Sequence, residues 1–365
     1  MNLIKSIDIF CAVVDHFGDI GVCWRLSRQL AVEHKISVRL FVDDLESAKA
    51  IIPEDRCGVE VSYWAKCLDY QAAADVVIEA FGCHLPDQVV AAMCAKRSVW
   101  IDLEYLSAED WVKTCHAIPS YHPSTGLTKT LFFPGFEMGT GGVIRENDVI
   151  LYRNAFLGDR KGQDFWRTSH SVPEISDNCL DISLFSYQTA PVGQFIESLK
   201  NFDQPVRIFR PGREARQSVE RVGSVEIYDI PFLSQVDYDY LLWTCDLNFV
   251  RGEDSFVRAQ LAGKPFVWNI YVQDEGAHLV KLSAFLQKIS CFYDEISFER
   301  LANLHDLWNE GGQILTKQGQ DTWVKALHSL PGLKSGARNW SDYLCDQVDL
   351  STQLLEFAKV QITRT

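Results

Sequence analysis

The chain has 365 residues, of which 47% are hydrophobic and 23% charged, enough to bury two cores of ordinary domain size. Its 49 acidic residues outnumber 35 basic ones, for a formal charge of −14. That balance excludes the basic face of a general nucleic-acid binder and suits a cationic partner. Eleven cysteines, an odd number without a C-x-x-C pair, read as small buried apolar residues of a reducing cytosol rather than as a disulfide framework or a zinc site.

The first residues are too polar for a signal peptide, and no run of 18 apolar residues exists. A cytoplasmic protein without membrane contact is expected. Ile7 to Val14 is an apolar run broken only by Asp8, the pattern of a strand buried on both faces. A loop, Asp15 to Gly21, leads into a helix over Val22 to His34, and Ile36 to Val42 returns to strand. This βαβ unit implies a parallel sheet. Further strands are expected at Val59–Tyr63, Val76–Glu79 and Val99–Asp102, and Phe132 to Gly142 is a glycine-rich loop. A first domain over 1–165 is expected, with a linker near Arg167 to Asn178.

A second alternation begins at Asp181–Phe185 and continues with a helix over Pro191–Lys200. Strands at Val206–Phe209, Val225–Asp229, Leu247–Arg251 and Phe266–Ile270 follow, with helices at Asp237–Trp243 and Phe256–Ala262. This second domain is expected over 175–342. The end of the chain, Tyr343 to Val360, reads as one amphipathic helix, and the segment 343–365 could return to the first domain. Two successive α/β domains facing a central cleft are the architecture of GT-B glycosyltransferases, of certain epimerases and of some binding proteins; the fold does not choose among them.

Two constellations carry chemistry. In the second half, a strand ends at Arg251-Gly252-Glu253-Asp254-Ser255 and a helix follows, closed by Gly263. Unpaired N–H groups at the positive end of a helix dipole suit a phosphate or diphosphate, although Asp254 or Ser255 would equally serve as a plain helix cap. Glu253 and Asp254 repel phosphate and suit sugar or ribose hydroxyls. Upstream, Ser234 and Asp237 form a capping box, and Phe232 lies in a loop where a ring stacks on a nucleobase or packs into a core. Phe185 and Tyr187 follow the first strand of this domain. In the first half, Asp15 and Asp19 flank Gly18 at the ligand-binding edge of the sheet. They read as a base with its partner or as a helix cap beside a solvated carboxylate. The motif is not the G-x-G-x-x-G of a dinucleotide fold.

The strings Val14–Leu26, Val42–Leu45, Phe132–Phe136, Thr140–Gly142, Ser183–Tyr187, Pro231–Leu233 and Arg251–Gln260 resemble the EarP family of protein-arginine rhamnosyltransferases over nearly the whole chain. The resemblance implies an inverting GT-B enzyme that transfers L-rhamnose from dTDP-β-L-rhamnose to one arginine of translation elongation factor P, a modification that relieves stalling at polyproline. It implies Asp19 as general base and Asp15 as its partner in orienting the guanidinium, with Phe185 and Phe232 holding the thymine. Tyr187, Gln235, Glu253, Asp254 and Ser255 would bind ribose, sugar or diphosphate, and no metal or other cofactor is expected. An epimerase acting on a sugar nucleotide and a non-catalytic binder of elongation factor P are the alternatives on the same scaffold.

Overall fold

The computed structural model describes residues 3–15, 17–64, 70–212, 219–310 and 317–364. His16 of the first motif string and Cys67 lie outside them; the described cysteines are free thiols. The chain divides into two units, Met1–Asn147 with Asp346–Thr365, and Asp148–Cys345.

Unit 1 contains β1 (Ser6–Cys11), α1 (Phe17–Val32), β2 (Ser37–Val42), α2 (Leu45–Ile51), β3 (Glu60–Tyr63), β4 (Val76–Ala80), α3 (Asp87–Lys96), β5 (Val99–Leu103), α4 (Val112–Cys115), β6 (Pro119–His122) and β7 (Leu127–Phe132). Its sheet runs β3-β2-β1-β4-β5-β7-β6, parallel except where β6 meets β7. In β4 all five residues are buried, as helices covering both faces of a parallel sheet require. The order reverses between β1 and β4, so the loops leaving their carboxyl ends diverge and open a ligand crevice there. The β6–β7 hairpin is absent from the expected elements: β6 starts with a proline and is exposed along its length, so it has no apolar alternation to read.

Unit 2 opens with α5 (Val149–Gly158) and α6 (Arg160–Ser169). It continues through β8 (Leu180–Leu184), α7 (Val192–Leu199), β9 (Val206–Pro211), β10 (Glu220–Val222), β11 (Val225–Ile230), α8 (Gln235–Thr244), β12 (Leu247–Arg251), α9 (Asp254–Ala262) and β13 (Phe266–Asn269). Helices α10 (Ala277–Ile289), α11 (Glu295–Glu310), α12 (Lys317–His328) and α13 (Leu330–Cys345) complete it. The sheet order is β10-β11-β9-β8-β12-β13, with a second reversal between β8 and β12. Its core is aromatic: Phe249 packs 4.3 Å from Trp308 and 4.8 Å from Phe195, centroid to centroid.

Two boundaries differ from those expected. The segment Arg167–Asn178 is not a linker, because Arg167 is fully buried in unit 2. Its Nη2 lies 2.6 Å from Asp181 Oδ2 and its Nε donates to Pro173 O at 2.6 Å, while Arg207 Nε sits 2.7 Å from the other oxygen of the same carboxylate. Unit 2 begins at Asp148, ahead of α5, whereas the expected limit at 165 falls within α6. The single helix expected over Tyr343–Val360 is broken. Helix α13 ends at Cys345, and α14 (Leu350–Arg364) starts afresh in unit 1. The break is made by Asp349, whose Oδ1 accepts from Thr352 N at 3.2 Å and from Gln29 Nε2 of α1 at 3.1 Å. Beside it, Gly142 has φ +74°, and a Cβ there would stand 2.5 Å from Val348 O.

Asp181 neutralises two buried guanidinium groups. Asp181→Asn is expected to destabilise unit 2 by about 3 kcal/mol, because it leaves those charges uncompensated. Urea denaturation followed by tryptophan fluorescence checks this, and an unmoved midpoint would contradict the assignment.

Candidate active site

In unit 1 the chain leaves β1 at Cys11 and enters α1 at Phe17, five residues before the expected helix start. Gly18 and Gly21 hide the first turn from propensity, since glycine is a poor helix former. Asp19 thus stands within the first turn and is not an N-cap. Its side chain turns back to accept from Val14 N at 2.8 Å and from Asp15 N at 2.9 Å, both on Oδ2. A carboxylate at the third helical position reaching back to N–H groups ahead of the helix ties that loop to the first turn, and the helix dipole favours its charge. Asp19 Oδ1 receives the hydroxyl of Tyr105 at 3.3 Å. Asp19 is 2% exposed, and Asp15 is only partly covered.

Burial pushes the Asp19 carboxyl above the ordinary aspartate value. The N–H groups of Asp15 and Val14 oppose the shift, the charge of Asp15 adds to it, and the Tyr105 hydroxyl opposes it again. A carboxylate with raised proton affinity, two of whose donors sit on one oxygen, can act chemically as a base through the other, which here holds the Tyr105 hydroxyl. Gly18 N donates to Asp15 O at 2.7 Å, and a Cβ on Gly18 would meet Asp15 Oδ2 at 2.7 Å. The glycine therefore leaves room for the Asp15 carboxylate to lie over the turn.

In unit 2 the turn after β12 is built around Gly252, whose φ is +66°. Trp268 Nε1 donates to Gly252 O at 3.0 Å, and its indole stacks on Phe256 with centroids 3.8 Å apart. Ser255 is 7% exposed, and its hydroxyl donates to Arg251 O while accepting from Arg251 N at 3.2 Å. With its proton spent inside the turn, Ser255 stiffens the loop and has its backbone N–H to offer an anion. The first-turn N–H groups of α9 have no carbonyl partner within the helix. Glu253 is the N-cap residue but makes no side-chain cap bond. Asp254 Oδ2 accepts from Gln235 Nε2 at 2.8 Å, which brings two of the sequence-derived residues together across α8 and α9. Ser234 caps α8 by accepting from Asp237 N at 3.1 Å.

The Arg251 guanidinium lies 4.4 Å from the Phe185 ring and 4.9 Å from the Tyr187 ring, and makes no ion pair among the described residues. Tyr187 is positioned by its own backbone, whose N–H donates to Asn269 Oδ1 at 2.8 Å, and by Tyr271, 5.7 Å away edge-on. Phe185 also meets Tyr238 edge-on at 5.9 Å. Phe232 is 42% exposed in the loop between β11 and α8. Phe185, Tyr187, Arg251 and the Gly252 turn thus gather at the carboxyl ends of β8 and β12, where the strand order reverses. Arg251 and Tyr105 are the residues that sequence reasoning passed over as individual functional groups. An arginine ending a strand before a phosphate-type turn is a signal that the sequence does carry.

The chain matches the family described as "Elongation-Factor P (EF-P) rhamnosyltransferase EarP" over residues 7–359. It is 42% identical to a protein-arginine rhamnosyltransferase of Pseudomonas aeruginosa and 41% identical to one of Pseudomonas putida, covering 96% of this chain in both cases and 98% and 97% of those proteins. A solved structure described as the structural basis for EarP-mediated arginine glycosylation of translation elongation factor EF-P superposes with a TM-score of 0.70 at 30% identity, covering 97% of this chain and 99% of that one. The glycosyltransferase MurG of Acinetobacter baumannii shares the fold alone, with a TM-score of 0.52 at 12% identity over 98% of this chain and 99% of that one. The two-domain GT-B architecture is that of these neighbours.

Gly18→Ala is expected to keep or raise the melting temperature, because the residue is helical and its φ is ordinary. It displaces the Asp15 carboxylate and lowers glycosyl transfer by about 100-fold. Transfer at the wild-type rate would show that the position of Asp15 is immaterial.

Proposed function

The chain belongs to the EarP family of protein-arginine rhamnosyltransferases, and on that premise we propose that it moves L-rhamnose from dTDP-β-L-rhamnose to an arginine of translation elongation factor P with inversion at the anomeric carbon. A guanidinium nitrogen forms the new bond to C1 as the bond from C1 to the diphosphate oxygen breaks. The β-linked donor thereby becomes an α-linked product and dTDP leaves. The proton lost by the guanidinium passes to Asp19, while Asp15 holds a second N–H of the same group.

The observation that carries this reading is the buried carboxylate of Asp19, raised in proton affinity and tied through one oxygen only to backbone N–H groups. A free guanidinium has a pKa above about 12 and is delocalised, hence a poor nucleophile. A fixed carboxylate beside a second one can polarise it and collect its proton as the bond forms. Unit 2 supplies the donor contacts in this reading. The unpaired Arg251 charge and the α9 N-terminus take the diphosphate, Phe185 and Phe232 the thymine, and Tyr187, Gln235, Glu253 and Asp254 the ribose and sugar hydroxyls. Ser255 contributes through its backbone. The acidic balance of −14 favours encounter with a basic acceptor loop. The modified factor would then relieve stalling at polyproline. The reaction is assigned to the cytoplasm; among the described residues no helix is long and apolar enough to cross a membrane.

The test is to incubate the purified protein with elongation factor P and dTDP-β-L-rhamnose and to weigh the acceptor by mass spectrometry. One added deoxyhexose per acceptor is expected, and donor consumption without a change in acceptor mass would instead indicate an epimerase. Arg251→Gln is expected to weaken dTDP binding by about 10- to 100-fold in calorimetry, the worth of one charge-assisted contact to phosphate. Unchanged affinity would remove Arg251 from the donor site.

A further inference from the structure

Among the described residues Asp19 receives three hydrogen bonds, and they are not equivalent. Val14 N and Asp15 N both reach Oδ2, at 2.8 and 2.9 Å. Oδ1 receives only Tyr105, at the longer distance of 3.3 Å. Two short bonds from a rigid backbone leave Oδ2 little capacity for a further proton, so Oδ1 is the atom that accepts one. Tyr105 is the only side chain that donates to Asp19 among the described residues, and it sits on that atom.

The phenol is held there by construction. Leu103 ends β5, and Glu104 N bonds Phe132 O at 3.0 Å, so the chain is pinned immediately before Tyr105. The Tyr105 ring stacks on Phe81 with centroids 4.3 Å apart and planes 13° from parallel. Phe81 itself sits at φ +59°, a conformation rare for a residue with a side chain, and its N–H is tied to Leu103 O at 2.7 Å. Backbone strain at Phe81 therefore goes with a fixed ring face against which Tyr105 is packed.

We propose that Tyr105 is a positioning residue for the transfer: its hydroxyl aims Asp19 Oδ1 and keeps that carboxylate ionised in the acceptor-free enzyme, then yields the oxygen to the incoming guanidinium proton. A hydroxyl is suited to this, because it donates to a carboxylate and, after rotation, accepts from a carboxylic acid. No atom is transferred to or from Tyr105. The inference rests on the assignment of Asp19 as base.

Among the described residues the other titratable groups facing Asp19 are few. Asp15, on the loop before α1, is an acid whose charge raises the proton affinity of Asp19. Cys23, further along α1, feels Asp19 together with Cys11 at the end of β1 and Cys83 after β4. The adjoining Cys11 thiol and burial push Cys23 well above the ordinary thiol range, and burial does the same for Cys83, so both are neutral. Against burial and Asp15, the Tyr105 hydroxyl is the one adjustable donor that favours the charged form of Asp19.

The experiment is the pH profile of kcat/KM for elongation factor P, which reports the ionisation of the free enzyme. Wild type, Tyr105→Phe and Asp19→Asn are compared. Activity needs the unprotonated base and falls as pH drops through its pKa. Removing a donor to the carboxylate raises that pKa, so the acid limb of Tyr105→Phe moves to higher pH. On that limb its activity is about tenfold below wild type, and on the plateau the difference shrinks. Phe81→Leu, which loosens the stack but leaves the hydroxyl, shifts the limb in the same direction by less. A loss that is uniform across pH in Tyr105→Phe, with Asp19→Asn inactive, overturns the role of Tyr105 and leaves the base assignment standing. Full activity in Asp19→Asn removes the base assignment and this inference with it.

Discussion

Two N–H groups from a loop that has not yet become helix converge on one oxygen of Asp19, and the geometry of unit 1 around the candidate site follows from that. The bonds tie the loop ahead of α1 to the first turn of the helix, so the carboxylate is part of the fold whatever reaction it serves. They also leave Oδ1 to the Tyr105 hydroxyl. Burial then acts on a group that cannot turn away to relieve it, and its proton affinity rises. Asp15 is carried along, because its own N–H is one of the two donors and Gly18 leaves room for its side chain. The fold and the proposed reaction make the same demand on the residue.

Unit 2 solves the complementary problem with the same sheet topology. Its strand order reverses between β8 and β12, and the elements gathered there carry Arg251 together with the acids Glu253 and Asp254. Arg251 lies on two aromatic rings, which stabilise a cation without neutralising it. Ser255 folds its hydroxyl back onto Arg251, so the turn that presents the α9 N-terminus is stiffened from within. An enzyme that transfers a sugar from a diphosphate has to hold two negative charges on one partner and remove a proton from the other. Under the proposed function those tasks fall to different units.

Much of this is readable from the residues, for identifiable reasons. The central strands β1, β4, β8 and β12 announce themselves because strands covered on both faces are continuously apolar. The first turn of α1 does not, since Gly18 and Gly21 are poor helix formers that tertiary packing overrides. The break between α13 and α14 is hidden because helical periodicity runs through Asp346–Asp349, while the cap made by Asp349 depends on Gln29, 320 positions away. The polar run at Arg167 reads as a linker in sequence, whereas in the fold Asp181 and Thr244 hold its guanidinium. The motif strings drew attention to the aspartate pair and the Gly252 turn, but Tyr105 reaches Asp19 from 86 positions away, and no local pattern records such a contact. Local chemistry is visible in sequence; convergence of distant loops on one atom is not.

The central claim is that chemistry resides in the Asp19 carboxylate while donor binding resides in unit 2. The most direct measurement is made on Asp19→Asn, in which dTDP-β-L-rhamnose affinity by calorimetry and single-turnover transfer to elongation factor P are determined on the same preparation. The account predicts donor affinity within about twofold of wild type, with transfer slowed by about 10²- to 10⁴-fold, the range for loss of a general base. Transfer at the wild-type rate, or a loss of activity fully explained by lost donor binding, would contradict it.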